Sequence, residues 1–188
     1  MKKPFYFSLL LLFCLSFFQV SIAQEIELVI PQGHDETVPM AQFSPDNNLI
    51  ATASWDNSVK LWNAKTGRLL HTFKGHTDWV GSVSFSSDGE LILTASKDKT
   101  AKIWSVKTGK LLHTLESESW VKSAQFSPDG SKIVTSSYGG TIIWDVKTGE
   151  ILQKLDAGSL RANELAQFSH NGEYVLATAT EKNYTLNK

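Results

Sequence analysis

Two sets of four side chains carry the chain's most specific chemistry. His34, Thr52, Asp56 and Trp62 form the first, and His76, Thr94, Asp98 and Trp104 repeat it 42 residues later. An imidazole, a hydroxyl, a carboxylate and an indole N–H invite a catalytic reading, because acid–base and nucleophilic chemistry use these groups. No other pattern competes with them. No His, Cys or carboxylate spacing fits a metal site. No Gly-rich phosphate loop and no Gly-x-Ser-x-Gly elbow occurs. No metal and no cofactor are expected.

The elements that must position these residues recur with a fixed period. Gly75 to Glu116 is the clearest unit. It opens with Gly75-His76, runs through Val80 to Phe85, turns at Ser87-Asp88-Gly89 and continues as Leu91 to Ser96. Asp98 and the run Thr100 to Trp104 follow, then Lys107-Thr108-Gly109 and Leu111 to Leu115. Phe43, Phe85, Phe126 and Phe168 are spaced 42, 41 and 42 apart, and Trp62, Trp104 and Trp144 are spaced 42 and 40. The turns keep step, from Ser44-Pro45-Asp46-Asn47 to Ser169-His170-Asn171-Gly172 and from Lys65-Thr66-Gly67 to Lys147-Thr148-Gly149. Asp, Asn and Gly supply turn conformations, and Pro pre-sets one dihedral. Four short strands per unit of roughly 42 residues is the pattern of a propeller blade. Runs such as Leu91-Ile92-Leu93 are apolar at consecutive positions, as expected of strands covered on both faces.

On these residues the chain resembles the WD-repeat β-propeller family. The expected fold is all-β, with blades of four antiparallel strands: three complete repeats at 33–74, 75–116 and 117–156 and a partial one at 157–188. The resemblance implies that each His, Thr, Asp and Trp set is a structural hydrogen-bonded tetrad, not an active site. It also implies a partner-binding rim at the channel mouth, formed by Trp55, Trp79, Lys97, Trp120 and Tyr138. These residues come from two series, Trp55, Lys97, Tyr138 and Glu181, and Thr37, Trp79, Trp120 and Ala162. Large amphipathic rings are common interface anchors. The competing reading packs each ring over a neighbouring blade's loop.

The later repeats depart from the pattern. Repeat three has Glu118-Ser119 near the Gly-His position and Gly139 where Asp is expected, and it is one residue shorter before Trp144. Repeat four has Lys182 and Lys188 near the Asp and Trp positions. Blades three and four are therefore expected to be less firmly pinned. His71 and His113, at equivalent outer-strand positions, read as solvated surface residues.

The net charge of −1 moves to −3 without the first 23 residues, which hold Lys2 and Lys3 and no acid. A weakly acidic chain without basic runs has no electrostatic footprint for nucleic acid. Lys2-Lys3, the uncharged run from Phe5 to Val20 and the small residues Ser21 and Ala23 follow the plan of a bacterial signal peptide at 1–23, with the mature chain at 24–188. Export to the periplasm or the extracellular space is expected, with anchoring by residues 5–24 as the alternative. Cys14 is the only cysteine and follows the bulky Phe13, which argues against lipidation.

Propellers usually close with about 4–8 blades. The front part of a longer propeller is therefore favoured over a small ring completed by the β-like run Glu25 to Pro31. The expected function is a non-catalytic scaffold that binds a protein or peptide partner. The alternatives are the propeller segment of a larger exported enzyme such as a hydrolase, and a truncated product without function.

Overall fold

A computed structural model of the chain describes residues 33–155 and 163–179. Fourteen strands and no helix occur among the described residues. Blade 1 contains β1 (Met40–Phe43), β2 (Leu49–Ala53), β3 (Ser58–Asn63) and β4 (Leu69–Lys74). Blade 2 contains β5 (Val80–Phe85), β6 (Leu91–Ser96), β7 (Thr100–Ser105) and β8 (Leu111–Glu116). Blade 3 contains β9 (Val121–Phe126), β10 (Lys132–Ser137), β11 (Gly140–Asp145) and β12 (Ile151–Leu155). A further hairpin pairs β13 (Asn163–Phe168) with β14 (Val175–Ala179). Each blade is an antiparallel meander in chain order. The leading segment, the run Glu25 to Pro31, Ala162, Glu181, Lys182 and Lys188 lie outside the described residues.

The turns are built as their residues dictate. Gly89, Gly130 and Gly172 adopt φ of 74°, 71° and 73° in the first hairpin of their units. Asn47 takes φ of 60° at the matching place in blade 1, a conformation Asn tolerates better than most side chains. In the first three turns a serine hydroxyl and an aspartate lock the loop, as with Ser86 Oγ donating to Asp88 at 2.5 Å and Leu91 N donating to Ser86 Oγ at 2.9 Å, and in the fourth Ser169 Oγ donates to Asn171 Oδ1 at 2.7 Å.

The core lies between blades. Ala51, Leu61 and Phe73 of blade 1 meet Val83, Ile92 and Trp104 of blade 2 in one cluster. Leu93, Ile103 and Leu115 of blade 2 meet Val121, Ile133 and Trp144 of blade 3 in the other. Neighbours on one strand thus serve different cores: Ile92 faces blade 1 and Leu93 faces blade 3. A strand alternates its side chains between faces, and here both faces are buried, which is why the apolar run is unbroken. Each large side chain buried this way contributes about 1.5–3 kcal/mol, so blade stacking supplies most of the stability.

The first strands of successive units, β1, β5, β9 and β13, pack side by side. Gln42 of β1 accepts from Phe85 N at 3.0 Å, and Gln125 of β9 accepts from Phe168 N at 3.2 Å. The described sheets form an open arc, an incomplete propeller. All four residues of β1 are exposed, Phe43 among them.

Candidate functional site

Four segments in and beside blade 2 bring the chemistry together. His76 stands on the segment between β4 and β5, Thr94 on β6, Asp98 in the β6–β7 turn and Trp104 on β7. Trp104 Nε1 donates to Thr94 Oγ1 at 3.0 Å, Thr94 Oγ1 lies 2.7 Å from His76 Nε2, and His76 Nδ1 lies 2.7 Å from Asp98 Oδ2. A neutral imidazole satisfies all three contacts when indole donates to hydroxyl, hydroxyl to Nε2 and Nδ1–H to carboxylate. Blade 1 repeats the chain, with Trp62 to Thr52 at 2.9 Å, Thr52 to His34 at 2.7 Å and His34 to Asp56 at 2.7 Å.

This is the donor order of a nucleophile, base and orienting acid. The surroundings point elsewhere. Thr94 is 0% exposed and Thr52 is 1% exposed, and each hydroxyl already receives an indole N–H. A reacting atom needs a position about 3 Å from the nucleophile, and these hydroxyls are enclosed. Asp98 is likewise saturated: Oδ1 accepts from Thr100 N at 2.9 Å and Thr100 Oγ1 at 2.7 Å, and Oδ2 also accepts from Thr77 N at 3.0 Å. The arrangement ties the loop before β5 to β6 and β7.

The carboxylates respond to these donors. Burial alone would raise Asp56, but hydrogen bonds from Ser58 and His34 outweigh it and hold the group at about 2. Asp98 shows the same contest: burial raises it, while the His76 and Thr100 hydrogen bonds lower it well below the usual carboxylate range. A depressed folded-state value stabilises the fold above the unfolded value, and the stabilisation is lost as pH falls through the folded value. The melting temperature is therefore expected to fall steeply as pH drops from about 4 toward 2. The Asp98→Asn protein should show a shallower acid slope in the same calorimetric series, and an unchanged slope would remove Asp98 from this account.

Blade 3 keeps one end of the arrangement. Trp144 Nε1 donates to Thr135 Oγ1 at 2.8 Å. The other end differs in register from the sequence expectation. Val80 pairs with Ser96 and Val121 with Ser137, so Ser117 stands in the place of His76. The missing residue falls in the β10–β11 turn, where Tyr138 and Gly139 replace the three residues 97–99. Ser117 Oγ donates to Ser137 Oγ at 3.1 Å, and Gly139 N donates to Ser119 Oγ at 2.9 Å.

The aromatic residues gather into two clusters. Trp55, from the β2–β3 turn, stacks on Trp79 at the start of β5, with ring centroids 4.6 Å apart and planes 11° apart. Lys97 Nζ sits 4.4 Å from the Trp79 ring centroid and 3.9 Å from the Asp78 carboxylate. Trp120 meets Tyr138 edge-on at 6.3 Å, and Lys122 Nζ lies 4.3 Å from the Tyr138 centroid. Trp55 and Trp79 remain 36% and 40% exposed although they touch across two blades, and Tyr138 is 49% exposed. The rings therefore pack on one another and face solvent at once. The Trp120 indole N–H is buried without a hydrogen-bond partner among the described residues.

Sequence reasoning missed Lys122. Its signal was the strand period, because residues two apart share a face and Lys122 follows Trp120 by two. His71 and His113 also need correction, since both are half-buried rather than solvated. A Cβ added to Gly109 would lie 3.0 Å from His71 Nδ1, and one added to Gly149 would lie 2.9 Å from His113 Nδ1. Each imidazole is covered by the Lys-Thr-Gly turn of the next blade, a contact between blades that no single repeat reveals.

A family model described as WD domain, G-beta repeat matches residues 26–63, 67–105 and 109–145. A Ribosome assembly protein 4 from Chaetomium thermophilum is 58% identical over 38 residues, 20% of this chain and 7% of that protein. A Notchless protein homolog from Arabidopsis thaliana is 48% identical over 42 residues, 22% of this chain and 9% of that protein. A Eukaryotic translation initiation factor 3 subunit I from Pyricularia oryzae is 45% identical over 42 residues, 22% of this chain and 12% of that protein. The matched stretches thus span about a tenth of the length of these relatives. They overturn the expectation of export. Ribosome assembly and translation initiation are intracellular processes, and the proteins named for them here are eukaryotic, which conflicts with a bacterial chain sent out by a signal peptide. Residues 1–23 and the alternative anchor at 5–24 lie outside the described residues.

Proposed function

Because the chain belongs to the WD domain, G-beta repeat family, we propose that it is a non-catalytic scaffold that holds a protein or peptide partner against the rim formed by Trp55, Trp79, Lys97, Trp120 and Tyr138. The observation that carries this reading is the Trp55–Trp79 stack, which is ordered by contact between blades and still presents both rings to solvent. Preorganised aromatic surface loses little conformational freedom on binding, and such residues dominate interface energetics. The two His, Thr, Asp and Trp tetrads act as structural pins that hold the rim-bearing loops in place. Blade units at 33–74, 75–116 and 117–156, with a partial unit at 157–188, belong to the same proposal. Two relatives are named for multi-component work, ribosome assembly and translation initiation. A subunit of a larger protein assembly is accordingly the kind of partner proposed.

The test compares the wild-type chain with the Trp55→Ala/Trp79→Ala double variant, both immobilised and exposed to the same cell extract. Proteins captured by the wild type should bind the variant at least tenfold less, the scale of losing one or two interface anchors. The variant should melt within about 2 °C of the wild type, because exposed side chains contribute little to stability. Equal capture would remove the rim from the reading. A large drop in melting temperature would make the rings structural.

A further inference from the structure

One asparagine stands where three aspartates stand. The first hairpin turns of the four units carry Asp46, Asp88, Asp129 and Asn171 at the same place. The second and fourth turns match closely: Ser86-Ser87-Asp88-Gly89-Glu90 and Ser169-His170-Asn171-Gly172-Glu173. Asp88 accepts from Ser86 Oγ at 2.5 Å and from Glu90 N at 2.9 Å, and Leu91 N donates to Ser86 Oγ at 2.9 Å. Asn171 Oδ1 makes the same contacts at greater length, 2.7 Å from Ser169 Oγ and 3.2 Å from Glu173 N, with Tyr174 N 3.0 Å from Ser169 Oγ. Carboxylates accept stronger hydrogen bonds than neutral amides. The serine hydroxyls and following backbone N–H groups hold Asp46 and Asp129 at about 2, so the loop is built to receive a negative charge.

Asn171 also has the neighbour that lets an asparagine convert itself. Asn171-Gly172 is the sole Asn-Gly pair in the chain. The backbone nitrogen after an asparagine can attack the side-chain amide carbon, and glycine, without a Cβ, permits the closest approach. Asn171 is exposed, so water reaches the amide. In the closed turn the Gly172 N–H donates to the Ser169 carbonyl at 2.9 Å, and the reaction therefore waits on opening of the turn. The β13–β14 sheet is two-stranded among the described residues, and Tyr174 and Leu176 are 69% and 59% exposed. This hairpin opens more readily than those inside the four-stranded blades.

We propose that Asn171 is a self-modification site, deamidated by its own backbone, and that the aspartyl product completes the fourth turn. The Gly172 nitrogen gives its proton to solvent and attacks Cγ of Asn171. The Cγ–Nδ2 bond breaks, and Nδ2 takes up a proton and leaves as ammonia. Water then adds at Cγ of the cyclic imide and breaks the new Cγ–N bond. One water is consumed, one ammonia is released, and no oxidant or reductant takes part. Water adding at the backbone carbonyl instead gives isoaspartate, which routes the main chain through the side chain and loses the lock seen at Asp88. The Ser169 hydroxyl and Glu173 N–H donate to Oδ1, the oxygen on Cγ, and so draw water to that carbon. Blade 2 shows that the product turn accommodates a glutamate two residues on. The turn lies at the opposite end of the strands from the Trp79 and Lys97 positions, so the site stands apart from the aromatic rim.

The test incubates the full 188-residue chain in mildly alkaline buffer and maps deamidation by peptide mass spectrometry. Asn171 should convert faster than every other asparagine, Asn57 before Ser58 included. The aspartate share of the product should exceed that from a short peptide of residues 169–174 under the same conditions. The Asn171→Asp variant carries the product from the start. Its Gly172 and Tyr174 amides should exchange with solvent about fivefold more slowly than in the wild type at neutral pH, the scale of exchanging a neutral acceptor for a charged one. That protection should be lost in acid, as the carboxylate is protonated. Asn171→Gln keeps a neutral amide and should show no gain in protection. An intact Asn171 in a chain whose other asparagines have converted overturns the proposal. So does a product no richer in aspartate than the peptide's, or an Asn171→Asp chain that exchanges like the wild type.

Discussion

Trp104→Ala is expected to lower stability by about 4 kcal/mol, the upper part of the range for removing a large buried aromatic side chain. Trp104 is 2% exposed and belongs to the cluster between blades 1 and 2. Its ring lies 5.5 Å from that of Phe73 on the preceding blade and 6.2 Å from that of His76. A Cβ on Gly75 would come within 3.1 Å of the indole, so the chain closes tightly over it. Removing the side chain opens a cavity, separates two blades and takes the indole donor from the buried Thr94 hydroxyl. In a chain of this size the melting temperature should fall by about 8–16 °C. Trp104→Phe keeps most of the packing and loses the donor, so its smaller loss isolates the hydrogen bond. Equilibrium denaturation of both variants measures this directly. A loss below about 1 kcal/mol for Trp104→Ala would mean that the blades are not held together through this residue.

The second large effect is at Asp98. Asp98→Ala removes the acceptor for four donors, His76 Nδ1, Thr77 N, Thr100 N and Thr100 Oγ1. The side chains of His76 and Asp98 are 1% and 5% exposed, so water cannot readily replace the carboxylate. Breaking a buried pair of this kind costs about 3–5 kcal/mol, mostly because the surviving partner is left unpaired. The expected readout is a melting temperature lower by about 6–20 °C at neutral pH. The Trp79 fluorescence environment should remain native-like at low temperature, because the Trp55–Trp79 stack does not use the carboxylate. A variant as stable as the wild type would return the tetrad to consideration as chemistry held in reserve rather than as a pin.

The repeat was legible because turn chemistry and large aromatic residues are local signals. The Phe and Trp spacings and the Ser-Pro-Asp-Gly and Lys-Thr-Gly turns place strands without reference to any partner. The contacts between blades were not legible. His71 beneath Gly109 and Gln42 on Phe85 N join residues 38 and 43 apart that sit in different repeats. A period shows that units recur; it does not show which atoms of one unit touch the next. Composition misled once more, at the N-terminus. A hydrophobic run followed by small residues records hydropathy and leaves destination open, and the relatives contradict the export inferred from it.

The two His, Thr, Asp and Trp sets were visible as residue types at fixed spacing, and the sequence determined that blades 1 and 2 would carry them and blade 3 would not. It also determined the four-stranded unit, since strand length, turn chemistry and consecutive apolar positions all reside within one repeat. Only the tertiary structure decided what those residues can do. It buried the Thr52 and Thr94 hydroxyls beneath indoles, stacked Trp55 on Trp79 across two blades and covered His71 and His113 with the Lys-Thr-Gly turns of the next blades. The physical reason is that burial and enclosure belong to stacked sheets: the neighbouring blade supplies the second wall.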